Sequence, residues 1–540
     1  MNGKIGGGVV LISMLWSIFG GCLLSAQDEQ VYSYLIGKVT IDRQPVFLTD
    51  TSSAINLLYT TANRLHILTR ARIIRNELLF SEGDIYVHEL VEETERNLRR
   101  LDIIGDVFIR RDTVGAHTID LAVHTRDRWS LELGGSYKQE GGIRTSRITL
   151  QEHNFFGGAQ RFKVSFNRRS DRMTPDGLDI SFHDPRLFGS WWKSLIKYQR
   201  AEELELRSIS LNRTYHTEAT TWAAGVYTDQ RSMEHYFYDN GIRDSTFSLS
   251  RSNQSAWFSI SSGTVRKLRS SAALVRVRTP SSELPSRPYD NLDLVILSLS
   301  PRRRIYYKER YLNNFGRVED IPVGYFFDIL VGRNFYHHSP NTPDYYFRLN
   351  SEYALKIRRK YYLGYRAALS SFLVEGEHKD LILGLEVLHY HRLSTWHTLA
   401  ARLKGIYGHN WSPFHQLVLG APGGLRGYPA YALNGQRLLL LNVEDRIFTP
   451  LELWIYRLGG VLFFDMGAVW GETETFSVDK LHPAFGIGLR IENSVQQGSG
   501  IMRIDFAFRP DGGLSEVSIT AGQLFKAFTN MTFIPPNIIK

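Results

Sequence analysis

The sequence contains one cysteine in 540 residues, Cys22, close to the N-terminus. A disulfide framework is therefore excluded, as is any zinc ribbon or paired-thiol redox chemistry. Long hydrophobic runs are equally scarce. Beyond residue 30, none approaches the roughly 20 consecutive apolar residues that a membrane-spanning helix needs. Catalytic signatures are missing as well. His88-Glu89 begins like a zinc-binding helix, but the position four residues after His88 is Glu92. No Gly-x-Ser-x-Gly nucleophile turn occurs. His389 and His391 share one face of a strand, a spacing far commoner among ordinary polar barrel residues than among metal ligands. The reading is of a chain that is not an enzyme and needs no metal or cofactor. The net charge of +9 is spread along the chain, which argues against a nucleic-acid site.

What is present begins with an export signal. Lys4 opens the chain, Val9 to Leu24 is almost uninterruptedly apolar, and Leu24-Ser25-Ala26 puts small residues before Gln27. Residues 1–26 therefore read as a signal peptide. An exported chain without a spanning helix can still cross a membrane as a closed barrel, because there every backbone polar group finds a partner.

Residues 31–127 read as a small α+β domain. Tyr34 to Phe47 alternates like a strand. Thr69 to Phe80 and Val87 to Leu101 place apolar residues at helical spacing. Val107 to Arg111 and Thr118 to Thr125 then alternate as two strands around Gly115. From 130 to 526 the pattern is strands only. Phe162, Val164 and Phe166 alternate with Lys163, Ser165 and Asn167, and Met502, Ile504, Phe506 and Phe508 with Arg503, Asp505 and Ala507. Such segments show one face to lipid and one to the lumen, so the chain is 43% apolar yet 22% charged. The fold expected is a transmembrane antiparallel β-barrel of about 16 strands, preceded by the α+β domain. Trp191-Trp192 and Tyr361-Tyr362 are expected at its aromatic girdles. Residues 527–540 form a C-terminal tail.

Leu78 to Trp129 resembles a POTRA domain, the polypeptide-transport-associated repeat, through Gly83-Asp84 before a helix and Gly105-Asp106-Val107 opening a strand. The remainder resembles the bacterial surface antigen barrel of the BamA, Sam and Toc superfamily of outer-membrane assembly factors. Leu419 to Arg446 carries the Arg-Gly-Tyr of that superfamily's long sixth loop as Arg426, Gly427 and Tyr428, followed by a strand with Glu444 and Arg446. Phe463 to Val469 is similar to its Phe-Phe-Asp strand, with Asp465 at the acidic position. Glu152 to Gly158 and Asp184 to Gly189 resemble its early-barrel turns. The sequence departs from the family in having one POTRA domain, about fifteen extra residues near Leu48 to Ala62, and a tail beyond the aromatic residue, Phe525, on which the family usually ends.

The resemblance implies that the loop folds into the lumen and that Arg426 meets acidic groups on the wall, with Glu444 and Arg446 sharing one strand face. It also implies a terminal recognition strand, Val517 to Phe525 with Gly522, whose seam with the first strand near Leu131 to Tyr137 opens sideways to template a client. The POTRA domain would present an edge strand, Val107 to Arg111 or Tyr34 to Ile41, to extended peptides. The implied localisation is the outer membrane, with the POTRA domain periplasmic. The partners would be unfolded outer-membrane or secreted polypeptides, outer-membrane lipid and accessory periplasmic proteins. The alternative is a passive or ligand-binding channel, or a surface structural antigen, that keeps the fold without the activity.

Overall fold

A computed structural model describes residues 34–47 and 56–526, apart from short stretches at 116, 175, 218, 284–289, 317, 337–341, 359, 412–414 and 494–500. The proposed signal peptide and the C-terminal tail lie outside the described residues.

Alternation in the first segment builds β1 (Leu35–Gln44). Helices α1 (Asn56–Leu65), α2 (Ala71–Arg75) and α3 (His88–Arg99) follow, then β2 (Ile104–Gly115) and β3 (Thr118–Asp127). The sheet order is β1-β3-β2, with β3 parallel to β1 and antiparallel to β2. Ile73 and Ile74 of α2, with Val91 and Leu98 seven residues apart on one face of α3, pack on Leu121 and Val123 of the central strand. The insertion between the first strand and the core helices thus carries α1. Gly83 turns the chain at φ +89 and donates to Ile36, while the Asp84 carboxylate accepts from the Ser81 amide. Gly105 sits at an irregularity in the register between Ile104 and Asp106, where a Cβ would meet the Arg128 side chain.

Twenty antiparallel strands then close into a barrel, from Leu131–Glu140 to Gly513–Ala521. Barrel class and antiparallel pairing match the sequence reading, but the size does not. The four extra strands precede the long loop, which is consequently the eighth loop on the side away from the N-terminal domain, not the sixth. Turn residues mark where strands end, whereas strands of 16 to 21 residues such as Ile242–Ser262 blur the count in the middle of the chain.

Leu133, Phe166, Leu274, Leu297 and Leu462 project outward and are exposed, as a lipid-facing wall requires. Trp192 and Trp222 meet edge to face on that wall, and Trp222 lies beside Phe258. Each aromatic pair read from the sequence is split, because neighbouring strand residues point to opposite faces. Trp192 and Tyr361 serve the outer surface. Trp191 stacks on His216, and Tyr362 is buried with its hydroxyl donated to Glu309 at 2.5 Å.

The N-terminal domain docks across one end of the barrel. The two early turns are its sockets. Asn154 donates to the Ile67 carbonyl at 2.8 Å, and the Arg70 amide donates to Gly157 at 3.1 Å. The Arg186 guanidinium forks onto the Glu77 carboxylate, both side chains buried, with Nε to Oε1 at 2.5 Å. On the opposite arc of the ring, Arg99 donates to Asp320 at 3.2 Å and Lys308 reaches Glu95 at 3.3 Å.

Candidate functional site: loop lock and seam

The loop between strands His397–His409 and Arg437–Leu453 runs back into the lumen. A short pair of strands, Leu417–Leu419 and Leu433–Gly435, stiffens its base. Leu419 and Leu425 pack on inward-facing Leu438 and Leu440, which buries the apolar part of the loop against the wall. Gly427 adopts φ +86, a left-handed conformation that costs a side-chain-bearing residue energy.

These elements deliver Arg426 to a fully buried position. Its Nε donates to Asp465 Oδ2 at 2.6 Å and its Nη2 to Asp465 Oδ1 at 2.9 Å. Its Nη1 meets Glu444 Oε1 at 2.9 Å and Asp505 Oδ2 at 3.3 Å. The Phe463 ring lies 3.6 Å from the guanidinium carbon. Forked bonding of this kind uses the planar geometry peculiar to arginine. Tyr428 donates to the Pro483 carbonyl at 3.0 Å and meets His482 edge-on. The sequence reading anticipated Glu444 and Asp465, and the structure brings both onto Arg426.

Arg446 has a different employment. Its Nε holds the second oxygen of Glu444 at 2.9 Å, while Nη2 donates to the Phe525 carbonyl at 2.7 Å. Four participants escaped the sequence reading of the lock. Asp505 arrives from strand Ile501–Arg509 and is also held by Arg490 at 2.6 Å. Asn442 links the Gly424 carbonyl to Asp465 at 2.8 and 2.6 Å. Glu516, on the last strand, accepts from the Gly427 amide at 2.8 Å and the Gly141 amide at 2.5 Å. Alternation marks each of these as inward-facing, but no motif pairs Asn442 with the loop, and Asp505 and Glu516 meet it from 79 and 89 residues away.

The seam joins the first strand to the last. Every other neighbouring pair in the barrel forms a ladder of many registered residues, and here the one registered pair is Ile519 with Gln139. The Leu131 to Lys138 edge of the first strand has no registered partner there, and Leu131 and Leu133 are exposed on it. The terminal strand stops at Ala521, short of the predicted Phe525. Gly522 turns the chain at φ +85, and Phe525 enters the lumen instead of extending the strand. This corrects the assignment of Gly522 and Phe525 to a recognition strand. The physical reason is a buried, cation-lined site for the ring within the lumen.

The closed antiparallel sheet with a lipid-facing exterior defines the class: a β-barrel protein of the outer membrane. No family model matches the sequence. Over 125 residues the chain is 26% identical to the outer membrane protein assembly factor BamA of Neorickettsia risticii (strain Illinois), a match that covers 23% of this chain and 16% of that protein. Among solved structures, BamA from Haemophilus ducreyi lacking POTRA domains 1–3 aligns over 91% of this chain and 84% of its own, at 12% identity and a TM-score of 0.40. CdiB from Acinetobacter baumannii aligns over 94% and 95%, at 11% identity and a TM-score of 0.40.

Proposed function

We propose that this protein inserts polypeptides into the outer membrane or passes them across it, using the open edge of its first strand as a template. The observation that carries this reading is the seam held by a single registered pair. An unpaired strand edge presents a row of backbone donors and acceptors, and an extended client segment can add to it by β-augmentation. The loop lock supports the reading: a guanidinium fixed to three carboxylates keeps the lumen side rigid while the seam stays weak.

The N-terminal domain, read as a single POTRA repeat facing the periplasm, would receive clients on β2. Segment Gly83–Tyr86 already bonds to β1 at Tyr34 and Ile36, which leaves β2 as the more open edge. Along β2 the Ile109 amide is occupied by Glu95 at 3.0 Å and the Ile104 amide by the Leu101 carbonyl at 3.0 Å. A single such domain suits a dedicated client better than a general one.

The test is quantitative outer-membrane proteomics after depletion, complemented with the unmodified protein or Arg426→Ala. Loss of many barrels marks a general insertase, and loss of one surface or secreted protein marks a dedicated transporter. An unchanged proteome would defeat the proposal in favour of a channel or structural antigen.

A further inference from the structure

The last described residues fill a lumenal pocket beside the loop lock. After the Gly522 turn, Gln523 Nε2 donates to the Asn313 carbonyl at 3.1 Å. Leu524 packs on the same lumenal cluster as Phe525, whose walls include Leu312, Leu388, Tyr390 and Ala400. The Phe525 ring is 6% exposed. It lies 4.7 Å from the guanidinium carbon of Arg446, 5.2 Å from that of Arg402, and 6.2 Å from the Tyr390 ring. Its carbonyl accepts from Arg446 at 2.7 Å. The pocket therefore reads three features of a peptide at once: an aromatic ring through apolar contact and two cations, a main-chain carbonyl through a buried guanidinium, and a preceding polar side chain through a lumenal carbonyl.

The same residues have a second place to go. Continuing the register set by Ile519 and Gln139 along the antiparallel pair puts Gln523 opposite Gly135 and Phe525 opposite Leu133. There Phe525 would lie on the outward face with Leu131 and Leu133, both exposed in the present arrangement. One segment thus has two mutually exclusive partners: the lumenal pocket, or the first-strand edge that the seam leaves open.

We propose that the pocket formed by Arg402, Arg446 and Tyr390 is a binding site for an extended peptide segment bearing an aromatic residue, and that residues 522–526 occupy it in cis as a self-ligand. Occupancy withholds them from the first strand and so keeps the end of the seam nearest the N-terminal domain open. The pocket is coupled to the loop lock through Glu444, whose two oxygens hold Arg426 and Arg446. This goes beyond the proposed function and stands whether or not the protein assembles others, because it concerns the purified chain alone.

Two cysteine pairs in a Cys22→Ser background separate the states. Gln523→Cys with Asn313→Cys reports the lumenal position, and Gln523→Cys with Gly135→Cys reports the extended strand. With Phe525 intact the first pair should cross-link and the second should not. Phe525→Ala, or Tyr390→Ala from the pocket side, should shift the ratio of the two products toward the second by about tenfold or more, since a large buried ring is lost. The second variant guards against misfolding of the first. A fluorescent peptide with the sequence of residues 522–526 should bind the full-length Phe525→Ala chain in detergent, and the same peptide with alanine for phenylalanine should not. Cross-link ratios that ignore both substitutions, a second pair that already dominates with Phe525 present, or equal binding of the two peptides would each overturn the proposal.

Discussion

The hairpin under the loop lock and the pair of strands at the seam are built from the same alternating pattern, yet they hold together very differently. Strands Arg437–Leu453 and Tyr456–Trp470 pair continuously from Arg437 with Trp470 to Phe448 with Gly459. Their inward face carries Glu444 and Asp465, both fully buried on Arg426. The first and last strands share one registered pair, and the tether that crosses between them is Glu516, which joins the Gly141 turn to the loop. Strength in this barrel thus follows register and buried charge, not the quality of the alternation. A ladder supplies many hydrogen bonds, each worth about 1 kcal/mol net, and the seam forgoes nearly all of them.

The sharpest way to break the contrast is to weld the weak side. Gln139→Cys with Ile519→Cys, oxidised in a Cys22→Ser background, should abolish complementation in a depleted strain and recover on reduction. A matched pair inside the locked hairpin, Leu441→Cys with Met466→Cys, joins residues already in register and should leave complementation intact. If the seam cross-link is harmless, lateral opening plays no part in function.

Next in size is the removal of Arg426. Arg426→Ala leaves Asp465, Glu444 and Asp505 buried with one cation fewer, at a cost of about 3–5 kcal/mol. Equilibrium unfolding in detergent should show it as a lower denaturant midpoint. Arg426→Lys should recover only part of the loss, because an ammonium cannot reproduce the fork onto Asp465. Full recovery with lysine would mean that charge alone, and not geometry, holds the loop.

Amide exchange sharpens the comparison without mutation. Amides of Leu131 to Tyr137 that face the seam should exchange on the order of 100-fold faster than those of Leu440 to Ile447, since local opening there breaks few contacts. Comparable protection would show that the seam is closed in solution. The smallest effect concerns the domain contacts. Asp320→Asn removes the partly exposed partner of Arg99 and should cost no more than about 1 kcal/mol, and that loss should shrink in high salt. The buried Glu77–Arg186 fork on the other arc gives the contrast, and Glu77→Gln should loosen the domain much more, measured by protease accessibility of residues 66–80.

A large share of this was legible along the chain. Two-residue alternation announced a barrel wall, because lipid and lumen impose opposite polarities on adjacent side chains. Arg426, Glu444 and Asp465 were recognisable as lock partners from motif resemblance and shared strand faces. Helical spacing found α2 and α3, although α2 is shorter than its pattern suggested. By contrast, α1 lay unread in what looked like an insertion. The two early turns were noticed as motifs, but their work as sockets for the N-terminal domain depends on Ile67, Arg70 and Glu77, residues that no local pattern connects to them.

The sequence by itself determined which face of each strand is polar, where an arginine needed carboxylates, and that beyond residue 30 a crossing of the membrane is by strands. Tertiary structure alone decided that twenty strands close the ring, that Asp505 and Glu516 join the lock from strands far along the chain, and that Phe525 turns into the lumen. The reason is physical. Alternation is a local property of one strand, fixed by which solvent each side chain meets. Closure, register and the destination of a chain end depend on the free energies of competing long-range pairings, and those are compared only when the whole wall is assembled.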